Sequence, residues 1–227
     1  IDNIFFKSPD KSEYIKFYSN IKNELKLMTK HSRKMVDYKP SCGEDFIKNE
    51  KVLSTIRKYL TVRTEEKNLY GEVFTPIELI CEMMDHLPKG VWSNPKLKWL
   101  DPANGIGNFP VIAYYKLMEG LEKAIPNSNE RSKHIIEQML YMVELNPVNV
   151  RLCRKIFKMI DDKATPNIVI HDFLTFKGFR GIDKFDIIMG NPPYMKPKNL
   201  KLKGGYGGRS LWPNFVIESI DKFLIEN

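Results

Sequence analysis

Residues 98–108, KWLDPANGIGN, decide the fold that the sequence predicts. Their apolar start breaks at Asp101 into a turn with two glycines, and residues 109–121 then show the apolar spacing of a helix. Glycine lets a backbone turn sharply and approach a bound molecule closely. The stretch therefore indicates a β-strand, a glycine-rich turn and a helix, although many such turns carry two glycines and this one is not specific by itself.

Three further apolar stretches follow, at residues 138–144, 167–172 and 185–190. A helical pattern at 147–160 separates the first two of them, just as a helix follows the first strand. Strands that alternate with helices predict a parallel sheet of the doubly wound α/β class, whose working groups lie at the carboxyl ends of the strands. The four predicted strands end at Asp101, Glu144, Asp172 and Asn191.

The N-terminal region has a different character. Apolar residues recur every three or four positions at residues 10–36 and 43–62, and no strand pattern occurs before Gly71. We therefore predict a small helical region over residues 1–68, followed by an α/β domain over residues 69–227.

Composition places the chain among ordinary globular proteins: of its 227 residues, 42% are hydrophobic and 28% are charged. No apolar stretch approaches the length of a membrane span, and the first residues carry no signal-segment pattern. We therefore expect a cytoplasmic protein that does not bind membranes. The three cysteines, Cys42, Cys81 and Cys153, are odd in number and lack metal-ligand spacing, so we expect reduced thiols and no metal site.

The net charge of +8 is distributed unevenly. Residues 71–194 carry 15 basic and 15 acidic side chains, whereas residues 1–70 carry 15 and 10 and residues 195–227 carry 6 and 3. Basic flanks suit contact with a polyanion, because Lys and Arg neutralise phosphates; a solvated surface would have the same composition. In the glycine-rich stretch 195–210 we expect a loop with five phosphate-binding residues: Lys196, Lys198, Lys201, Lys203 and Arg209.

Residues 191–194, NPPY, directly follow the last predicted strand. Two successive prolines restrict the backbone and hold the Asn191 and Pro192 carbonyl groups in a stiff turn. The Asn191 side-chain oxygen and the Pro192 carbonyl can then accept both hydrogens of one planar amine, which favours a pyramidal nitrogen whose lone pair can attack a methyl sulfonium. Tyr194 offers a ring face on which a base swung out of a duplex can stack.

Two acidic residues at strand ends suit the recognition of a nucleoside. Glu144 can accept hydrogen bonds from both ribose hydroxyls, as does the acid after the second strand of nucleotide-binding sheets. Asp172 can accept a hydrogen bond from an exocyclic amine, and Phe173 can pack against a purine. These motifs do not contain a pair of histidines, so the sequence does not indicate metal chemistry.

Together, the turn DPANGIGNF at 101–109 and the motif NPPY at 191–194, preceded by GEVFTP at 71–76, resemble the γ-class N6-adenine DNA methyltransferases of restriction-modification systems. In that family the cofactor motifs come first, the catalytic motif next and the target-recognition region last. The resemblance covers residues 70–194 with three motifs in the family's order. It implies a Rossmann-like S-adenosylmethionine-dependent methyltransferase fold, and transfer of a methyl group to the N6 amine of adenine in DNA.

The resemblance also implies roles for individual residues. The target adenine, flipped out of double-stranded DNA, would be held by Asn191, Pro192, Pro193 and Tyr194. The S-adenosylmethionine site would consist of Phe74, Thr75, Pro76, Asp101, Pro102, Ala103, Gly105, Gly107, Asn108, Glu144, Asp172 and Phe173. Phe74 to Pro76 would hold the methionine end, Glu144 the ribose and Asp172 with Phe173 the adenine ring. A restriction or specificity subunit is a further expected partner.

The chain departs from the family pattern at Asn104, Ile106 and Pro110, where the family usually has Cys, Ser and Leu. The family sheet has seven strands, whereas this chain supplies four candidates and one following helix. We therefore expect an incomplete parallel sheet and no target-recognition domain of useful size.

Three alternatives to adenine methylation of DNA stay open. The same NPPY motif fits a glutamine side-chain amide or an amine of an RNA base, because each is a planar nitrogen. N4 of cytosine in DNA is a second option. The third is a fragment that binds S-adenosylmethionine or DNA without turnover.

Overall fold

The computed structural model describes residues 4–6, 42, 49–59, 75–194 and 210–225. The helical pattern at residues 10–36, the predicted cofactor residue Phe74 and the basic stretch 195–209 lie outside the described residues.

A five-stranded sheet forms the centre of the described structure. Its strands are β1 (Ile4–Phe6), β2 (Trp99–Asp101), β3 (Leu140–Glu144), β4 (Asn167–Ile170) and β5 (Ile187–Met189). Their order is β1-β5-β2-β3-β4, with β2 to β5 parallel and β1 antiparallel to β5. Leu100 pairs with Tyr141 on one side and with Ile188 on the other, so the carboxyl ends of β2, β3 and β5 lie at the same edge of the sheet.

The described residues form six α-helices: α1 (Glu50–Tyr59), α2 (Ile77–Asp85), α3 (Asn108–Gly120), α4 (Ser128–His134), α5 (Pro147–Ile160) and α6 (Trp212–Glu218). The residues at the start of helix α5 explain why this helix begins there. The Asn146 side chain accepts a hydrogen bond from Val148 N at 2.9 Å, and Pro147 occupies the first helical position, where no N–H is needed. None of the described helices is long and apolar enough to cross a membrane.

Alternate residues of the strands face two apolar cores. Leu140 and Met142 of β3 lie in the first core with side chains of α1, α2, α3 and α5, whereas Tyr141 and Val143 lie in the second core with Phe215 of α6. Successive side chains of a strand point to opposite faces of a sheet, so helices cover both faces. The α/β class, the four parallel strands and the helices that follow β2 and β3 are confirmed.

The N-terminal region differs in part from its prediction. Strand β1 precedes Gly71, where the sequence pattern indicates no strand, and that prediction is wrong. Three residues are too few to show a period, and the strand depends on pairing with the distant β5. Helix α1 falls within the helical pattern at 43–62, and its Val52 and Ile56 are buried in the first core. The division of the chain at residue 68 stays a prediction.

Cys42 and Cys81 form a disulfide, with their Cα atoms 5.3 Å apart. The expectation of reduced thiols is therefore wrong for this pair, whereas Cys153 is free and buried in α5. The two bonded cysteines are 39 positions apart in the sequence, so tertiary folding brings them together and no local spacing signals the bond.

Candidate active site

The carboxyl edge of the sheet brings predicted site residues from three strands together. Gly105 N donates a hydrogen bond to Oε2 of Glu144 at 2.6 Å, which joins the turn after β2 to the end of β3. Gly190 follows β5 and lies so close to Asp101 that a Cβ atom on it would be 2.5 Å from Asp101 Oδ1. The ends of β2, β3 and β5 therefore border one continuous site.

Two glycines shape the turn between β2 and α3. Gly105 has φ 57° and Gly107 has φ 98°, values that residues with a side chain rarely adopt. A Cβ atom on Gly107 would lie 2.8 Å from Sγ of Cys153, so the missing side chain also lets α5 pack against the turn. Asn104 N donates to the Val143 carbonyl at 3.0 Å and fixes the turn on β3.

Asp101 is a fully buried carboxyl group at the base of this turn. Oδ1 accepts a hydrogen bond from Ala103 N at 3.1 Å, and Oδ2 has no partner among the described residues. Burial raises the pKa of Asp101 well above its usual value; the charge of Glu144 adds to the rise, and the Ala103 bond opposes it. Oδ1 of Asn108, also buried, has no partner in the described part of the chain. Buried acceptors of this kind suit a cationic amine.

Glu144 is held by the backbone on both sides. Oε2 accepts from Gly105 N at 2.6 Å, and Oε1 accepts from Asn146 N at 2.7 Å. One backbone N–H on each oxygen fixes the orientation of the carboxylate group. The oriented carboxylate suits a pair of hydroxyl donors.

The NPPY motif follows β5 as an extended turn. Pro192 is buried, Asn191 and Pro193 are half-buried, and the Tyr194 side chain is 44% exposed. The Tyr194 carbonyl accepts a hydrogen bond from Leu211 N at 2.9 Å, so the segment that enters α6 is attached to the end of the motif. Tyr194 thus has a large open surface at a fixed place in the backbone.

Thr75 connects the NPPY motif with the first residue of α3. Its Oγ1 accepts a hydrogen bond from Nδ2 of Asn191 at 3.1 Å, and its carbonyl accepts one from Nδ2 of Asn108 at 3.3 Å. Thr75 is buried, and Pro76 after it is exposed and precedes the first residue of α2. The family resemblance implies that Thr75 is a cofactor residue, and the structure adds its contact with the NPPY motif.

The segment after β4 agrees only in part with its predicted role. Asp172 is exposed, and its Oδ1 accepts a hydrogen bond from Leu174 N at 3.0 Å, which begins the short 3-10 turn Phe173–Thr175. Phe173 is 2% exposed and packs in the second core, 5.4 Å from the ring of Phe215 and 5.1 Å from that of Phe223. This geometry does not support the predicted contact of Phe173 with a purine, because the apolar core covers the ring.

Two exposed apolar residues at the same edge were not singled out from the sequence. Leu145 is 49% exposed directly after Glu144, and Ile170 is 54% exposed at the end of β4. Large apolar side chains that stay open at the ends of buried strands are candidates for contact with a flat ring. An apolar residue within two positions of each strand-end acid is the sequence signal that could have found them.

The residues present fit S-adenosylmethionine. Its ammonium group suits the buried oxygens of Asp101 and Asn108, its ribose hydroxyls suit Glu144, and its adenine ring suits the open side chains beside that acid. No group of three or more potential metal-ligating side chains occurs within the described ranges.

Comparison with known families now assigns the chain. The model of the N-6 DNA methylase family matches residues 48–205, which is more than half of the chain and includes all three motifs. The chain belongs to the N-6 DNA methylase family.

Individual relatives agree in name but are longer than this chain. An uncharacterized adenine-specific methylase of Mycoplasma pneumoniae is 28% identical in an alignment that covers 66% of this chain and 52% of the relative. The type II methyltransferase M.VspI of Vibrio sp. strain 343 is 28% identical over 130 residues, covering 57% of this chain and 27% of the relative. The chain thus spans about half or less of the curated relatives it matches.

Among solved structures, a modification subunit of a proposed type I restriction enzyme from Vibrio vulnificus YJ016 aligns with a TM-score of 0.41 at 20% identity. The alignment covers 70% of this chain and 30% of that one.

Proposed function

We propose that this chain is the cofactor-binding and catalytic part of an enzyme that transfers a methyl group from S-adenosylmethionine to the N6 amine of adenine in DNA. Membership of the N-6 DNA methylase family supports the reaction, as do relatives named as an adenine-specific methylase and a type II methyltransferase. The observation that carries the proposal is that Gly190, the residue before Asn191, lies against the buried carboxyl group of Asp101, while Thr75 hydrogen-bonds both Asn191 and Asn108.

Asn191 and Pro192 act on the target amine in this proposal. The lone pair of an aromatic amine is delocalised into its ring, so the nitrogen is a poor nucleophile. Hydrogen bonds from its two protons to the Asn191 amide oxygen and the Pro192 carbonyl favour a pyramidal nitrogen. S-adenosylmethionine supplies the electrophilic methyl group when bound. As the N–C bond forms, the C–S bond breaks and the nitrogen releases one proton.

The cofactor side of the site is built from the turn after β2 and the ends of β3 and β4. Asp101 holds the ammonium group, which favours its ionised form, and the backbone of Pro102, Ala103, Gly105 and Gly107 lines the turn. Glu144 accepts the ribose hydroxyls, and Asp172 accepts from the adenine amine. Leu145 and Ile170 replace Phe173 as the residues that contact the adenine ring.

Double-stranded DNA is the proposed substrate, with the target adenine flipped out of the stack. A base inside a duplex cannot reach a group at the edge of a sheet, and the exposed ring of Tyr194 provides a stacking surface for it. Lys196, Lys198, Lys201, Lys203 and Arg209 are proposed to contact phosphates.

The proposed setting is a restriction-modification system in the cytoplasm, with the γ-class motif order and a restriction or specificity subunit as a further partner. The similarity to a relative named a type II methyltransferase supports this setting. The order of the three motifs, at residues 71–76, 101–109 and 191–194, supports the class.

The first experiment is calorimetric titration with S-adenosylhomocysteine, because the roles of residues 75 to 172 depend on that pocket. We expect saturable binding at one site per chain. Transfer is then measured with labelled S-adenosylmethionine on duplex DNA, with mass spectrometry of the digested nucleosides. N6-methyladenine is the expected product; N4-methylcytosine, or a methylated RNA or glutamine amide with no labelled DNA, would contradict the proposal.

Two alanine variants separate the two halves of the site. Asn191→Ala removes the acceptor proposed for the target amine, so it should abolish transfer and leave S-adenosylhomocysteine binding within about twofold. Glu144→Ala should instead weaken that binding by about 1–3 kcal/mol, because it removes a charged acceptor from the ribose and from the Gly105 N–H. Loss of cofactor binding in the Asn191 variant would contradict the assignment.

A further inference from the structure

The chemistry proposed for Asn191 requires one orientation of its amide. The side-chain oxygen can accept a proton of the target amine, whereas the NH2 group can only donate. Rotation about χ2 of asparagine exchanges the two positions. The energy profile of this torsion is broad and roughly two-fold, so the side chain alone has little preference for either orientation. Some neighbouring group must therefore select the orientation in which the oxygen faces the target.

Thr75 makes a contact that favours this orientation when its hydroxyl acts as the acceptor. Oγ1 of Thr75 accepts a hydrogen bond from Nδ2 of Asn191 at 3.1 Å, which directs the amide nitrogen towards Thr75 and the oxygen away from it. In the reversed amide the oxygen would face Thr75 and accept a hydrogen bond from its hydroxyl instead, which would turn the oxygen away from the target. The two residues are 116 positions apart, and they meet only because the segment before α2 passes the end of β5.

Thr75 is itself held in place. It is 8% exposed, and its carbonyl accepts a hydrogen bond from Nδ2 of Asn108 at 3.3 Å, so its backbone is attached to the first turn of α3. Threonine branches at Cβ, which restricts χ1 and so limits the positions of its hydroxyl. A buried, tethered and stiff acceptor can fix the amide more firmly than a solvent molecule could.

The geometry points to Thr75 as a positioning residue that orients the Asn191 amide for the target amine. This role differs from holding the methionine end of the cofactor, and its catalytic consequence rests on the proposed function. Thr75 touches neither reacting atom in this role; it acts through Asn191.

The test compares Thr75→Val with Thr75→Ser. Valine keeps the branched shape and removes the hydroxyl, and serine keeps the hydroxyl. At saturating cofactor and DNA, Thr75→Val should lower kcat by about 10- to 100-fold, since small misplacements of a positioning group cost that much. Its KM for DNA should stay within about twofold, any weakening of S-adenosylhomocysteine binding should be smaller than the fall in kcat, and Thr75→Ser should restore kcat to within about threefold. If Thr75→Val does not fold, Thr75→Ala carries the same expectations.

A second readout does not depend on turnover. The side-chain NH2 signals of Asn191, identified by their loss in Asn191→Ala, are followed by 15N-resolved NMR in the free protein. Thr75→Val should shift them and speed their exchange with water, and Thr75→Ser should leave them near the wild-type positions. Unchanged signals would overturn the proposal, as would unchanged kcat or a loss of kcat that follows weaker cofactor binding. An inactive wild-type chain would instead overturn the proposed function, and the NMR signals would still decide the role of Thr75.

Discussion

Asp101 is a carboxyl group that folding removes from water. Its pKa is raised above the usual value, chiefly by burial. A raised pKa means that the folded protein binds the proton more tightly than the unfolded chain does. Stability from this group is therefore fully present below the unfolded pKa of about 3.9 and is lost as pH rises through the folded pKa. The burial of this carboxyl group thus costs the free protein stability at neutral pH.

We expect Asp101→Asn to stabilise the free protein by about 1–3 kcal/mol near neutral pH, because it removes a buried group that ionises. The gain should shrink towards zero as pH falls below the unfolded pKa of about 3.9, where the wild-type carboxyl becomes protonated in both states. Urea unfolding across this pH range measures the difference, and the same variant should bind S-adenosylhomocysteine more weakly. Asp162→Asn, at an exposed aspartate, is the control. A gain that does not change with pH would contradict the argument.

Strands that are buried on both sides could be predicted from the sequence. Contacts between segments that lie far apart in the sequence could not be predicted. Strands β2, β3 and β5 are apolar runs that stop at a polar or glycine residue, so the sequence predicts both the strands and the residues at which they end. Strand β1 has three residues and depends on pairing with β5, more than a hundred positions away. In the sequence, an aromatic side chain after Asp172 is compatible with contact to a ligand or with a place in the core. The packing of Phe173 against Phe215, which the sequence does not show, favours the core.

The turn between β2 and α3 depends on Gly107 in two separable ways. Its φ of 98° strains any residue with a Cβ atom, and that atom would meet Sγ of Cys153 at 2.8 Å. Gly107→Ala should therefore destabilise the protein by about 2–4 kcal/mol, the sum of backbone strain and the clash. In a Cys153→Ala background the clash is absent, and the penalty should fall by about 1–2 kcal/mol. Chemical denaturation of the wild type, the two single variants and the double variant gives the difference in the penalty.

Gly90→Ala provides the matched control for that cycle. A Cβ atom on Gly90 would meet no atom within 4 Å, and Gly90 does not have a positive φ. Its substitution should change stability by less than about 0.5 kcal/mol. An equal penalty for Gly107→Ala in both backgrounds would mean that backbone strain alone, and not the spacing to α5, requires glycine in the turn.

Charge is distributed over the whole molecule as expected for a neutral catalytic centre beside basic segments. Residues 71–194, which contain the sheet edge and all of its acidic site residues, have equal numbers of acidic and basic side chains. The excess of positive charge lies in the flanking parts of the sequence. In the proposed function, a neutral centre suits the binding of a cationic cofactor by the buried acids, and the basic flanks suit contact with DNA phosphates.

The location of charge, rather than its total, should set the affinity for DNA. Each side chain that neutralises a phosphate contributes about 0.9 to the slope of log K against log salt concentration. Changing Lys196, Lys198, Lys201, Lys203 and Arg209 to Gln should lower that slope by about 0.9 for each phosphate that is no longer neutralised, as measured by fluorescence anisotropy of labelled duplex DNA. The control makes the same change in net charge at exposed lysines of the neutral centre: Lys123, Lys133, Lys155, Lys158 and Lys163. Because counterion release requires a side chain directly at the phosphate, the control should keep most of the slope. An equal fall in both variants would show that the basic stretch only adds charge to a solvated surface.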